Sequence, residues 1–217
     1  MKIHHLAETD SILSKFIWEI RDREIQKDRL RFRRNIERIG EVLGYELSKT
    51  LRYTKAEVET PLGSKEMQRF ADEMVICSIL RAGLPLHNGL LNYFDDASNA
   101  FISAYRKHKD EQDDFEIVVE YLATPELQNK VLLLADPMLA TGQSLAAVFE
   151  VLKKQGMPKQ IHVVSVIASE EGIDFIKKHF PENTHLWVAT IDEKLNAKGY
   201  IIPGLGDAGD LAYGGKL

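Results

Sequence analysis

Cysteine is nearly absent: the 217 residues hold one, Cys77. That excludes an internal disulfide framework and a cysteine-rich zinc site. Basic charge is not in excess either. Lys and Arg number 28 against 33 Asp and Glu, a formal charge of −5, which argues against broad binding to nucleic acid and leaves room for a local basic pocket. Long apolar runs are missing. Near the functional candidates the clearest is Val131 to Leu134, followed by Ala135, far short of the roughly 20 residues that cross a bilayer. The opening MKIHHLAETD has no apolar core, so it does not read as a secretory leader; the expectation is a soluble, cytoplasmic protein with no membrane partner. The strand-end stretch at 131–144 fits neither GxxxxGK[ST] nor GxGxxG, which removes the main sequence support for a Walker-type or dinucleotide-binding loop there. Repeats, low-complexity tracts and polar linkers are absent as well, so residues 1–217 are read as one domain.

What is present is enough apolar material, 44% of the chain, to build a core. Ile12, Leu13, Phe16, Ile17 and Ile20 recur at helical spacing over 11–25, and Leu30, Ile36, Ile39, Val42, Leu43 and Leu47 do so over 29–51. These predict an N-terminal helical extension of about 1–50. Arg31, Arg34 and Arg38 lie on the polar side of the second helix, as a solvated face or an oligomer contact. Residues 52–60 alternate loosely and stop at Pro61, as an outlying strand or hairpin does. From residue 75 the rhythm changes. Short apolar runs at 75–80, 101–105, 115–122, 131–134, 161–168 and 186–191 are separated by helical patterns at 84–91, 144–154 and 171–179. That alternation predicts an α/β fold with a mostly parallel central sheet and flanking helices, to which the N-terminal helices and a β-hairpin or flap are added.

Three segments carry chemistry. The first is Asp136-Pro137-Met138-Leu139-Ala140-Thr141-Gly142-Gln143-Ser144, after a buried strand and before a helix. Ligands of open α/β sheets gather at such strand ends. The turn's N–H groups and the helix N-terminus suit a phosphate, with hydroxyls from Thr141 and Ser144. Asp136 suits ribose hydroxyls or metal-bound water. The plainer alternative is a strand–turn–helix connection with Ser144 as a cap. The second is Ile79-Leu80-Arg81-Ala82-Gly83. Here a guanidinium at a sheet edge can grip a diphosphate through two parallel hydrogen bonds, or simply be solvated. Cys77 reads as a buried apolar filler and His87 as a structural histidine. The third is GYIIPGLGDAGD at 199–210, whose four glycines and one proline argue against an ordinary helix or a long strand. Such a segment offers backbone donors and acceptors to a planar base, or is a ligand-free terminal loop. Tyr105-Arg106-Lys107-His108-Lys109 is a charged stretch, either solvated or a mobile loop able to close over a bound anion.

Taken in order, ILRAG, the Tyr105-Arg106 pair, ADPMLATGQS and GYIIPGLGDAGD resemble the corresponding motifs of the uracil branch of the type I phosphoribosyltransferase family, over roughly residues 14–217. The resemblance implies transfer of a phosphoribosyl group from 5-phospho-α-D-ribose 1-diphosphate (PRPP) to uracil, giving uridine monophosphate. It implies that Arg81, Arg106, Asp136 and Asp207 are catalytic. It implies that residues 136–144 together with Arg81, Arg106 and Asp207 bind PRPP. Ile201, Gly206, Asp207 and Ala208 would bind uracil within a base-binding segment 199–214. Mg²⁺ would be the cofactor, held by substrate and water with no residue assigned as a protein ligand. A homodimer or higher homo-oligomer is implied, with nucleic acid not a partner. Gln143 stands where the family usually has glycine and is expected to narrow the phosphate pocket or to require an unusual φ. Two other readings keep the fold: a non-catalytic nucleotide-binding regulator, and a transferase for another base.

Overall fold

The computed structural model describes residues 1–108 and 115–215. The chain runs through β1 (Lys2–His5), α1 (Ile12–Arg21), α2 (Arg29–Ser48), β2 (Tyr53–Thr60) and β3 (Gly63–Phe70). It continues with β4 (Met74–Leu80), α3 (Gly83–Leu91), β5 (Ser98–His108), β6 (Phe115–Ala123), β7 (Val131–Ala135), β8 (Met138–Leu139) and α4 (Gln143–Leu152). The last elements are β9 (Gln160–Ser169), α5 (Glu170–His179), β10 (His185–Asp192), β11 (Lys194–Leu195), β12 (Ile201–Ile202) and α6 (Ala208–Tyr213). The central sheet has the order β1-β10-β9-β7-β4-β5-β6, with β8 added on β9. Its neighbours pair in parallel except β5 and β6. The expected α/β architecture with a mostly parallel sheet is therefore present.

Strands that are apolar on both faces need cover on both faces. Met74 and Ile76 of β4 join Leu133, Val164 and Trp187 under α1, α2 and α3. Val75, Cys77 and Ile79 point the other way, with Leu134, Val163 and Val188, under α4 and α5. Cys77 is fully buried, and that burial pushes its thiol up to about 12, so it fills space as expected. His87 is buried too. Its ring is held between the Ser78 hydroxyl at 2.8 Å and Asn99 Oδ1 at 2.7 Å, a structural role.

Two elements differ from expectation, and the expected hairpin is longer than its readable strand. Residues 2–5 form an edge strand of the central sheet and are not part of a helical extension. A four-residue strand too short for a readable alternation is specified by its pairing with β10, from Lys2↔His185 to His5↔Val188. Residues 53–70 are a hairpin in which Tyr53 pairs with Phe70 and Thr60 with Gly63; β3 is polar along most of its length and carries no apolar run to announce it. Residues 208–213 are helical, because the Asp207 carboxylate accepts from Asp210 N at 3.0 Å and caps a turn that the glycines alone would not start.

β1 also closes a ring cluster. His4 stacks on Trp187 with centroids 3.6 Å apart and lies 3.2 Å from His185 through its Nε2. Trp187 Nε1 donates to His162 Nδ1 at 2.9 Å, which requires that nitrogen to be unprotonated. Burial holds His162 down to about 3 and His4 to about 4, and also lowers His185. The unfolded chain thus binds protons below pH 6.5 that the folded one refuses, so stability is full above that pH and is lost as pH falls toward the depressed values. For buried His162 each unit of depression is worth about 1.4 kcal/mol, and the more open His4 and His185 contribute less. Thermal unfolding is expected to show a steep fall in Tm between pH 6.5 and 4 that His162→Gln flattens; equal pH slopes in the two proteins would refute the assignment.

Candidate active site

The strand-end loop is locked to β9 through its own backbone. Asp136 N donates to Val164 O at 3.1 Å, and Pro137 O accepts from Val166 N and Ile167 N. Leu139 N donates to the Ser165 hydroxyl at 3.2 Å, and that hydroxyl donates to Ile167 O. Ala140 O accepts from the Ser169 hydroxyl at 2.6 Å, whose oxygen also accepts from Gly172 N at 2.9 Å as the cap of α5. Gly142 then turns the chain at φ +76° and starts α4 without a side-chain cap. The first N–H groups of α4 have no intrahelical acceptor. They face a concavity lined by Asp136, residues 138–142, Ser144 and Leu145. Bare amides at a helix N-terminus favour an anion.

Asp136 stands at the mouth of this cradle. Its Oδ1 accepts from Met138 N at 3.3 Å, and burial raises its carboxyl to about 7 against that single bond. Gln143 does not narrow the cradle. Its side chain is absent from the lining, its Oε1 is buried without a partner among the described residues, and the left-handed φ falls on Gly142 one position earlier.

Arg81 follows β4, the neighbour of β7; Ser78, three residues before Arg81, pairs with Ala135, the residue before Asp136. Its Nη2 donates to Asp210 Oδ1 at 3.1 Å and to Gly214 O at 3.2 Å. Its Nε is buried without a partner among the described residues. A Cβ on Gly209 would lie 3.1 Å from Asp207 Oδ1 and 3.7 Å from Arg81 Nη2. The structure thus brings Arg81, Asp207, Asp210 and the start of α6 together at the carboxyl edge that also carries Asp136. Ile201 and Ala208 are buried, Gly206 is exposed with φ +97°, and Asp207 is half-buried.

Arg106 differs from expectation in its backbone, which lies on β5 opposite Ile117 of β6 and not in a loop. Its side chain lies outside the described residues, as do Lys109 and the rest of the charged stretch 109–114. The α2 arginines are engaged within the chain: Arg34 with Glu37, Arg31 with Glu19, and Arg33 with Ala212 O at 2.7 Å. Sequence reasoning missed Ser165, Ser169 and Gly172, which hold the loop. A cap signal was present at Ser169, a serine followed by Glu170 and Glu171.

A mostly parallel sheet in this order, with an anion cradle after β7 and an arginine after β4, defines an α/β phosphoribosyltransferase fold. In fold alone the chain is like a hypoxanthine phosphoribosyltransferase from Staphylococcus aureus, with 18% identity, a TM-score of 0.50 and 74% of each chain covered. A family model described as uracil phosphoribosyltransferase matches residues 8–215, and the chain belongs to that family. A uracil phosphoribosyltransferase from Porphyromonas gingivalis is 52% identical over 217 residues, all of both chains. One from Pyrococcus furiosus is 41% identical over 210 residues, 95% of this chain and 88% of that one. A solved structure from Aquifex aeolicus is 32% identical with a TM-score of 0.85 and covers 98% of each chain.

Proposed function

We propose that residues 136–144 hold the ribose 5-phosphate of PRPP, that Arg81 and Arg106 hold its diphosphate, and that Ile201 and Gly206 to Ala208 read uracil. The protein transfers the phosphoribosyl group to uracil, giving uridine monophosphate in pyrimidine salvage. Uracil N1 bonds to C1 of the sugar, the C1–O bond breaks, its electron pair leaves with diphosphate, and the N1 proton passes to solvent. The chain's task is to hold both reactants in line and to offset charge on the leaving group. The observation that carries this reading is the meeting of Arg81 with Asp210 and Gly214 beside the Asp136 loop. That meeting supports the reading because it brings the arginine turn, residues 136–144 and the glycine-rich segment to one edge.

Mg²⁺ fits this donor chemistry. Among the described residues no group of three or more His, Cys, Asp or Glu is placed to cage a metal, and Mg²⁺ is commonly held by one or two carboxylates with substrate phosphates and water. Asp136 and Asp207 would hold it through water. When bound it supplies further neutralisation of the departing diphosphate. The reading also takes residues 1–217 as one catalytic domain acting in the cytoplasm. Among the described residues no helix is long and apolar enough to cross a membrane. It includes a homodimer or higher homo-oligomer. Val58, Leu62 and Met67 are exposed on the β2–β3 hairpin, and a two-stranded ribbon standing alone is marginal in water. Sedimentation at micromolar protein would refute the oligomer by showing a monomer.

Purified protein with Mg²⁺, PRPP and a panel of uracil, cytosine and purines is expected to turn over uracil best. Faster turnover of another base would reject the uracil assignment, and no turnover by folded protein would reject the enzyme. A pH dependence follows from Asp136. Ribose hydroxyls donate to its ionised form, and burial holds its carboxyl near 7 in the empty protein. PRPP affinity is therefore expected to rise as pH increases through about 7. Asp136→Asn should bind weakly with no such inflection; an unchanged inflection would place the titrating group elsewhere.

A further inference from the structure

Outside the groups assigned above, an ion pair sits behind the base segment. Arg21, the last residue of α1, forks onto Asp192 at the end of β10: Nη1 donates to Oδ2 at 2.9 Å and Nη2 to Oδ1 at 2.7 Å. The two side chains are 21% and 8% exposed. Both also hold one residue of the glycine-rich turn. Asp192 Oδ2 accepts from Gly204 N at 2.9 Å, and Arg21 Nη1 donates to Gly204 O at 3.2 Å. Gln26, with its amide nitrogen turned to face two carbonyls, donates to Leu205 O at 2.9 Å and Ile20 O at 3.0 Å. Gly204 has φ +58°, and a Cβ there would lie 2.1 Å from Ile201 O.

A glycine-rich turn is the least constrained kind of backbone. A base read by main-chain groups nevertheless needs those groups fixed to within a fraction of an ångström. Side chains from α1, β10 and the turn after α1 meet that need here, because they hold both polar groups of Gly204 and the carbonyl of Leu205, immediately before Gly206. The ion pair is well placed for it. A forked guanidinium–carboxylate contact fixes direction as well as distance, and Asp192 belongs to the rigid sheet that also carries the phosphate loop.

We propose that Arg21 and Asp192 are positioning residues for the base-reading turn, setting uracil affinity without touching the base. This rests on the reading that residues 201 and 206–208 face uracil. The test compares wild type with Arg21→Met, Arg21→Lys and Asp192→Asn, measuring KM for uracil, KM for PRPP and amide hydrogen exchange of 204–208. In Arg21→Met and Asp192→Asn the uracil KM is expected to rise about 10-fold or more, since small misplacements of a binding group are costly. The PRPP KM should move by less than about threefold, and exchange of the turn should quicken. Arg21→Lys should recover part of the uracil KM, because an ammonium keeps the charge and loses the fork. Where Arg21→Met does not fold, Gln26→Leu leaves the ion pair intact, removes the bonds to Leu205 O and Ile20 O, and is expected to raise the uracil KM about threefold in folded protein. Unchanged exchange in the variants overturns the anchoring. Faster exchange with an unchanged uracil KM overturns the base-reading role of the turn. Equal rises in both KM values overturn the proposal in favour of a general structural bridge.

Discussion

Arg81→Met is expected to lower kcat/KM for PRPP by about a thousandfold, the scale of losing one preorganised group that stabilises developing charge. The fold should survive. The Arg81 side chain is 39% exposed and its partner Asp210 45% exposed, and an ion pair so open to water contributes little to stability. The guanidinium is already held at the strand end by Asp210 and Gly214 O through Nη2. Arg81→Lys should fall between the two, since an ammonium keeps the charge and cannot make the parallel pair of bonds. Steady-state kinetics with varied PRPP, beside thermal unfolding, check this; a loss under about threefold in Arg81→Met would remove Arg81 from the diphosphate site.

Gly172→Ala should damage the phosphate cradle from behind. A Cβ at Gly172 would lie 2.1 Å from Ala140 O and 2.9 Å from Leu139 O, contacts with main chain that no rotamer relieves. Either α5 withdraws from the loop or the loop moves into the cradle. A cost of about 3 kcal/mol is expected for such overpacking, together with a rise in PRPP KM of about 10-fold or more from the misplaced amides. Ser169→Ala is the milder partner. It removes the hydroxyl that links Ala140 O to Gly172 N and should cost about 1–2 kcal/mol. Urea unfolding and KM measurements decide. Wild-type values in Gly172→Ala would mean that the cradle does not depend on its contact with α5.

The parts legible in the chain were those whose signal is local. Val131 to Leu134 is apolar without a break, so a strand buried on both faces follows directly, and Asp136 and Gly142 bound the turn after it. The paired expectations for Gln143 misplaced the strain. Only Gly142 takes the left-handed φ, and the Gln143 side chain leaves the cradle open because α4 starts at that residue. The glycines and proline of residues 199–210 argue against an ordinary helix or a long strand, yet Asp207 caps a helix over Ala208–Tyr213, since a carboxylate can start a turn that glycine content disfavours. Its charged neighbours point Arg106 to a loop, but pairing with β6 carries β5 through it.

Periodicity and turn chemistry are enough to place strand ends, the turn after β7, the arginine turn and the glycine-rich segment in order along the chain, because each is decided by residues within one or two turns of itself. Their assembly was decided elsewhere. β1 exists only against β10, Arg81 meets Asp210 across 129 residues, and Arg21 reaches Gly204 across 183. Contacts between residues so far apart depend on the order in which the sheet stacks its strands, and no local pattern encodes that order.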